Sequence, residues 1–145
     1  MKLVSKFFNE LDTKELYELL KARAEIFVVE QTCVYQDLDD LDYEGLHVFY
    51  EENGKVLAYL RAFPKSEDNK TVQMGRFLTM KHGTGLGEKL LSAGLEQIKA
   101  KMNPEQIYIH AQSYAAGFYA RAGFQICSEE FLEDDIPHVE MILRL

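Results

Sequence analysis

The chain has 145 residues, with 24 Asp+Glu against 16 Lys+Arg, a formal net charge of -8 and a sequence pI of about 5.0. That length fits one domain over residues 1–145, able to bury a core without a metal or disulfide staple. The surplus of acid disfavours polyanionic partners, both nucleic acid, whose binding depends on Lys and Arg displacing condensed counterions, and anionic lipid.

The N-terminus carries basic residues but no long apolar core or small-residue cleavage site, so it does not read as a signal peptide. Leu3 to Phe8 reads as a first strand. Asp12 and Glu15 have the spacing of a capping box, and Leu16, Leu19, Leu20, Arg23 and Phe27 continue at helical spacing, which predicts a helix from about Thr13 to Val28. The acid-rich stretch Tyr35–Glu44 is expected to be a loop. It is not a calcium loop, because Leu41 and Asp42 stand where an EF-hand needs a ligand and a glycine. Asn53-Gly54 between two β-rich runs predicts a hairpin, since both residues tolerate φ > 0. A third antiparallel strand is expected over Val72–Met80.

The glycine-rich run His82-Gly83-Thr84-Gly85-Leu86-Gly87 follows, then a helix over Glu88–Met102 with Leu90, Leu91, Leu95 and Ile98 on its apolar face. Asn103-Pro104 ends it. Ile107–Ala111 is a strand, and Tyr114–Ala122 a short helix stopped by Gly123. Phe124–Cys127 and Val139–Leu143 complete the sheet. The acids between them, Glu129-Glu130 and Glu133-Asp134-Asp135, read as a solvated connection. This order gives an α/β (α+β) fold, a mixed and mainly antiparallel sheet flanked by helices. Cys33 and Cys127 form no CxxC pair and read as free buried thiols. No apolar run approaches the ~18–20 residues of a membrane span, so the expected location is the cytoplasm.

Three glycines at alternate positions between a strand and a helix let backbone N–H groups approach an anion, with the helix dipole behind them. A structural tight turn explains the same spacing. A Walker A loop is excluded because Glu88-Lys89-Leu90 lacks its Lys-Ser/Thr, and a dinucleotide loop belongs after the first strand of a parallel unit, not after an antiparallel meander. Tyr119, on the short helix after a strand end, is a candidate proton donor; Phe118 and Tyr119 are otherwise a packed aromatic pair. Candidate bases are Glu30, His47, His110 and His138. Arg23, Arg61 and Arg76 are expected to pair with the acids of residues 37–44.

Taken together, the glycine loop and the run Gly117-Phe118-Tyr119-Ala120-Arg121-Ala122-Gly123-Phe124 resemble the GNAT superfamily of acyl-CoA-dependent N-acyltransferases. Ala22-Arg23-Ala24-Glu25, Tyr35-Gln36-Asp37-Leu38-Asp39, Ala58-Tyr59-Leu60-Arg61, Gly75-Arg76 and Ile136-Pro137-His138 look like its ElaA-like branch. The resemblance implies a GNAT-type fold and an N-acetyltransferase using acetyl-CoA, with no metal. The acceptor it implies is a primary amine of a small molecule or peptide. His82, Gly83, Thr84, Gly85, Leu86 and Gly87 would hold the CoA pyrophosphate. Phe77, Leu78 and Thr79 would hold the acetyl-pantetheine arm, with Gln112 at the position of the second motif's Asn. Tyr119 would protonate the leaving thiolate, and Glu30, at the end of the first helix, lies where the fold lines the acceptor side. His82 replaces the usual Arg or Gln, and the stretch between Thr79 and His82 looks about two residues short. These departures motivate the alternative of a catalytically silent acyl-CoA-binding module. The sequence leaves open whether the chain forms a homodimer.

Overall fold

Eight strands and three α-helices follow from the hydrophobic pattern in a computed structural model that describes residues 1–31 and 36–145. They are β1 (Lys2–Phe7), α1 (Thr13–Arg23), β2 (Leu46–Glu52), β3 (Lys55–Pro64), β4 (Thr71–Thr79), α2 (Leu86–Met102), β5 (Gln106–Gln112), α3 (Ala116–Arg121), β6 (Gln125–Ile126), β7 (Phe131–Glu133) and β8 (Ile136–Arg144). The strands make one sheet in the order β1-β2-β3-β4-β5-β8-β6, with β7 on β8, and β4–β5 is the parallel pair. No helix among the described residues is long and apolar enough to cross a membrane.

The expected capping box opens α1: Asp12 Oδ1 accepts from the Glu15 amide at 2.7 Å, and Glu15 Oε1 accepts from the Asp12 amide at 2.9 Å. The helix does not stop near Val28. It changes at Ala24 into a seven-residue π-helical segment ending at Glu30. The wider winding shifts later residues around the axis, and Ile26, Phe27 and Glu30 come to face the cavity described below. Asn53 and Gly54 adopt φ of 53° and 76°, the two-residue turn that joins β2 to β3.

On one face of the sheet α2 packs Leu90, Leu91, Leu95 and Ile98 against Leu46, Val48, Leu60, Ile107, Ile109 and Met141. On the other, α1 covers only Val4, Phe49, Val56, Tyr59 and Leu78, using Leu19, Ala22 and Ile26. Strand alternation places Tyr108, His110 and Gln112 of β5 on the face away from α2, beyond the edge of α1. That uncovered half of the sheet is where the site forms.

Several expectations change. Cys127 is exposed, because the strand expected over Phe124–Cys127 shortens to Gln125–Ile126 at the sheet edge; Cys33 lies outside the described residues. The second acid run is not merely a solvated connection. Phe131–Glu133 pairs with β8 across a two-residue turn in which Asp134 and Asp135 take φ of 50° and 63°. This pairing extends the last strand back to Ile136.

Candidate active site

The loop between β4 and α2 is shorter than the sequence indicates, since the helix already starts at Leu86 and takes Leu86 and Gly87 into its first turn. Gly83 and Gly85 both have φ of 75°, and a Cβ at either would meet nothing within 4 Å. Backbone conformation, not crowding, is what requires glycine there. Gly85 caps the helix without a side-chain acceptor, so the amides of the first turn are not capped by a side chain. With the helix dipole behind them these amides form a seat for an anion. His82 and Thr84 stand exposed on the same loop. His82 Nε2 lies 3.7 Å from Glu30 Oε1, linking the glycine loop to the end of the π segment.

Beside this seat the sheet splits. β4 and β5 pair only as far as Met74↔Ile109. Against β3, Gly75 faces Arg61 and Leu78 faces Tyr59, so Arg76 and Phe77 oppose the single residue Leu60. This bulge, with Arg76 at φ 51°, bends β4 away from β5. The wedge opens into a cavity of about 810 Å³, lined on the β4 side by Phe77, Leu78 and Thr79 and on the other by Gln112 and Tyr119. All the loop residues from His82 to Gly87 border it. The Tyr119 ring packs edge-on against Phe77, Phe118 and Phe124 at centroid distances of 6.0, 5.2 and 5.8 Å. Burial pushes its phenol up, with Tyr114 adding to the shift, so the hydroxyl holds its proton at neutral pH.

The far wall is built on ion pairs. Arg23, fully buried, reaches Asp42 Oδ1 at 2.6 Å and Asp37 Oδ2 at 3.0 Å. Arg61 grips Asp39 through both terminal nitrogens at 2.7 and 2.9 Å and shares Asp42 at 3.0 Å. Arg76 reaches Asp37 at 2.8 Å and Asp39 at 3.2 Å. The expected pairing is therefore present, and it ties the 37–42 segment to α1, β3 and the β4 bulge. Burial pushes the Asp39 and Asp42 carboxyls up, but the arginines outweigh it and hold both below the usual carboxylate range.

The four candidate bases separate. His47 is fully buried, bonded through Nδ1 to the Tyr59 hydroxyl at 2.7 Å and through Nε2 to the Asp42 carbonyl at 3.0 Å. Burial pushes it down, and it lies off the cavity. Glu30, His110 and His138 all line the cavity. So does Glu133, which the sequence reading left in a loop. Its Oε1 lies 2.9 Å from His110 Nδ1 and its Oε2 3.4 Å from His138 Nε2. The signal that would have found it is the run Phe131-Leu132-Glu133, Asp-Asp, Ile136-Pro137-His138, strand residues on both sides of a turn pair that tolerates positive φ. Among the described residues no group of His, Cys, Asp and Glu is arranged to hold a metal ion.

The family model described as an acetyltransferase (GNAT) domain matches residues 11–145. A UPF0039 protein of Schizosaccharomyces pombe is 40% identical over 149 residues, covering 100% of this chain and 98% of its own. The crystal structure of an acyl-CoA N-acyltransferase from Pseudomonas aeruginosa superposes with a TM-score of 0.91 at 36% identity, covering 99% of both chains. That of Escherichia coli ElaA does so with a TM-score of 0.91 at 32% identity, again over 99% of both.

Proposed function

Since the chain belongs to the GNAT acetyltransferase family, we propose that it is an N-acetyltransferase moving an acetyl group from acetyl-CoA to a primary amine of a small molecule or peptide. The observation that carries this reading is a single cavity bordered at once by an anion seat, a split sheet and a buried phenol. Open space at Gly83 and Gly85 and a helix start without a side-chain cap suit a pyrophosphate. The glycine-loop residues His82 to Gly87 would hold it, and the loop works through backbone amides, so a histidine at position 82 is compatible with the role.

When bound, acetyl-CoA supplies the activated acyl group. Beyond Met74 the β4 backbone around Phe77, Leu78 and Thr79 is released from β5 and would take the thioester arm, with Gln112 facing it across the wedge. An exposed β4 amide polarises the carbonyl where negative charge develops. Tyr119, held protonated by burial, donates to the departing thiolate. Glu30, on the opposite side of the cavity mouth, receives the amine and accepts its proton. The acids lining that side favour a cationic acceptor. We place the protein in the cytoplasm as one domain over residues 1–145, without nucleic-acid or membrane partners.

The test is thiol release from acetyl-CoA with a panel of polyamines, amino acids, aminoglycosides, peptide N-termini and lysine side chains. At least one class is expected to turn over. Binding of CoA by calorimetry with no turnover of any amine would make the chain a silent acyl-CoA-binding module instead.

A further inference from the structure

Acetyl transfer to an ammonium releases a proton. R–NH3⁺ and the thioester give the amide, the free thiol and H⁺: a C–N bond forms, the C–S bond breaks, and two protons leave nitrogen. One replaces the proton that Tyr119 gives to sulfur, and the other must reach solvent. Residues seated in an occupied cavity are covered by the reactants, so this second proton needs a route past them.

The structure assigns such a route: we propose that Glu133, His110, Tyr108 and Glu140 form a side-chain wire that carries the amine's proton out of the cavity. This rests on the acyltransferase reading above. Glu133 and His110 line the cavity, whereas Tyr108 and Glu140 do not. Between them the links are unbroken: Glu133 Oε1 to His110 Nδ1 at 2.9 Å, His110 Nε2 to the Tyr108 hydroxyl at 2.7 Å, and the Tyr108 hydroxyl donating to Glu140. The Glu140 side chain is 37% exposed, which puts the outer end in water.

The parts sit on rigid elements. Tyr108 and His110 share one face of β5 by strand alternation, and Glu140 of β8 is the cross-strand partner of His110. Phe131 packs edge-on against the His110 ring at 5.3 Å and holds its orientation. Lys65 lies over the Tyr108 ring at 4.2 Å, and His138 braces the second oxygen of Glu133. Proton counting favours a conducting role. Three links need three protons, and a neutral imidazole with a phenol supplies two. The fully linked chain is therefore the form carrying one extra proton, and passing it outward leaves one link open for the next.

Tyr108→Phe cuts the wire at its centre, and Glu140→Gln alters its outer end with little change of shape. Both are compared with wild type using acetyl-CoA and the panel amine that gives the highest wild-type rate. In dilute buffer each is expected to lower kcat about tenfold, with KM for acetyl-CoA unchanged. Added imidazole buffer should restore the rate by ferrying the proton, while wild type stays insensitive. Without any substrate, ¹⁵N NMR should show the His110 Nε2 signal moved by Tyr108→Phe and the Nδ1 signal in place. Turnover of both variants at the wild-type rate, a loss that buffer does not restore, or an unmoved Nε2 signal each overturns the wire alone. Failure of wild type to acetylate any amine overturns the acyltransferase reading and the wire with it.

Discussion

Tyr119 concentrates the chemistry at the residue scale. Its ring is held by Phe77, Phe118 and Phe124, while its hydroxyl stands at a cavity wall where burial keeps it protonated. A donor that is still protonated when the thiolate departs needs just this environment. Tyr119→Phe keeps the ring and the aromatic packing, so it separates proton donation from structure. The expected outcome is a kcat lower by about 10²-fold or more, with CoA affinity by calorimetry nearly unchanged. Undiminished turnover would remove Tyr119 as the acid, and a matching loss of CoA affinity would make it a binding residue.

Among the elements, the close approach of α2 to β3 sets the base of the wedge. Gly94 allows it: a Cβ there would lie 2.4 Å from Leu60 Cδ2 and 3.3 Å from its Cγ, and Leu60 is fully buried. Gly94→Ala gains helix propensity but overpacks the core, for a net loss of about 1–2 kcal/mol. This would appear as a lower urea midpoint at unchanged m; a midpoint at or above wild type would show that Leu60 swings aside without cost. The same elements show how far a single sequence carries. The Asp12 capping box, the Asn53-Gly54 turn, the glycine loop and the apolar face of α2 are local patterns, and each is present. The π segment after Arg23, the bulge at Arg76 and the trio of His110, Glu133 and His138 are not local. The bulge exists only because β3 offers one residue against two, and the trio joins three strands, so no spacing along the chain records either.

On the scale of the whole molecule, the net charge of -8 hides a balanced interior: three arginines and three aspartates close on one another behind the cavity wall. Removing one partner strands the others, so Asp42→Asn, which leaves Arg23 and Arg61 short of a charge, should cost about 3–5 kcal/mol at neutral pH. The same cluster fixes how the fold responds to acid. Asp39 and Asp42 titrate below their ordinary value of 3.8 in the folded chain, so the unfolded chain binds protons first as pH falls. Their contribution is whole above about 3.8 and is lost as pH drops through the folded values. His47, buried against Tyr59 and pushed below its ordinary 6.5, works in the same direction from a higher starting point. Below about 6.5 the unfolded state takes up a proton that the buried ring refuses. Urea midpoints should therefore decline gently below about 6.5 and steeply below about 4. His47→Gln should flatten the first decline, and Asp42→Asn should shrink the second. A midpoint constant down to about pH 4 in the wild type would mean that the His47 ring is protonated as readily folded as unfolded, and that the wall behind the cavity is open to water.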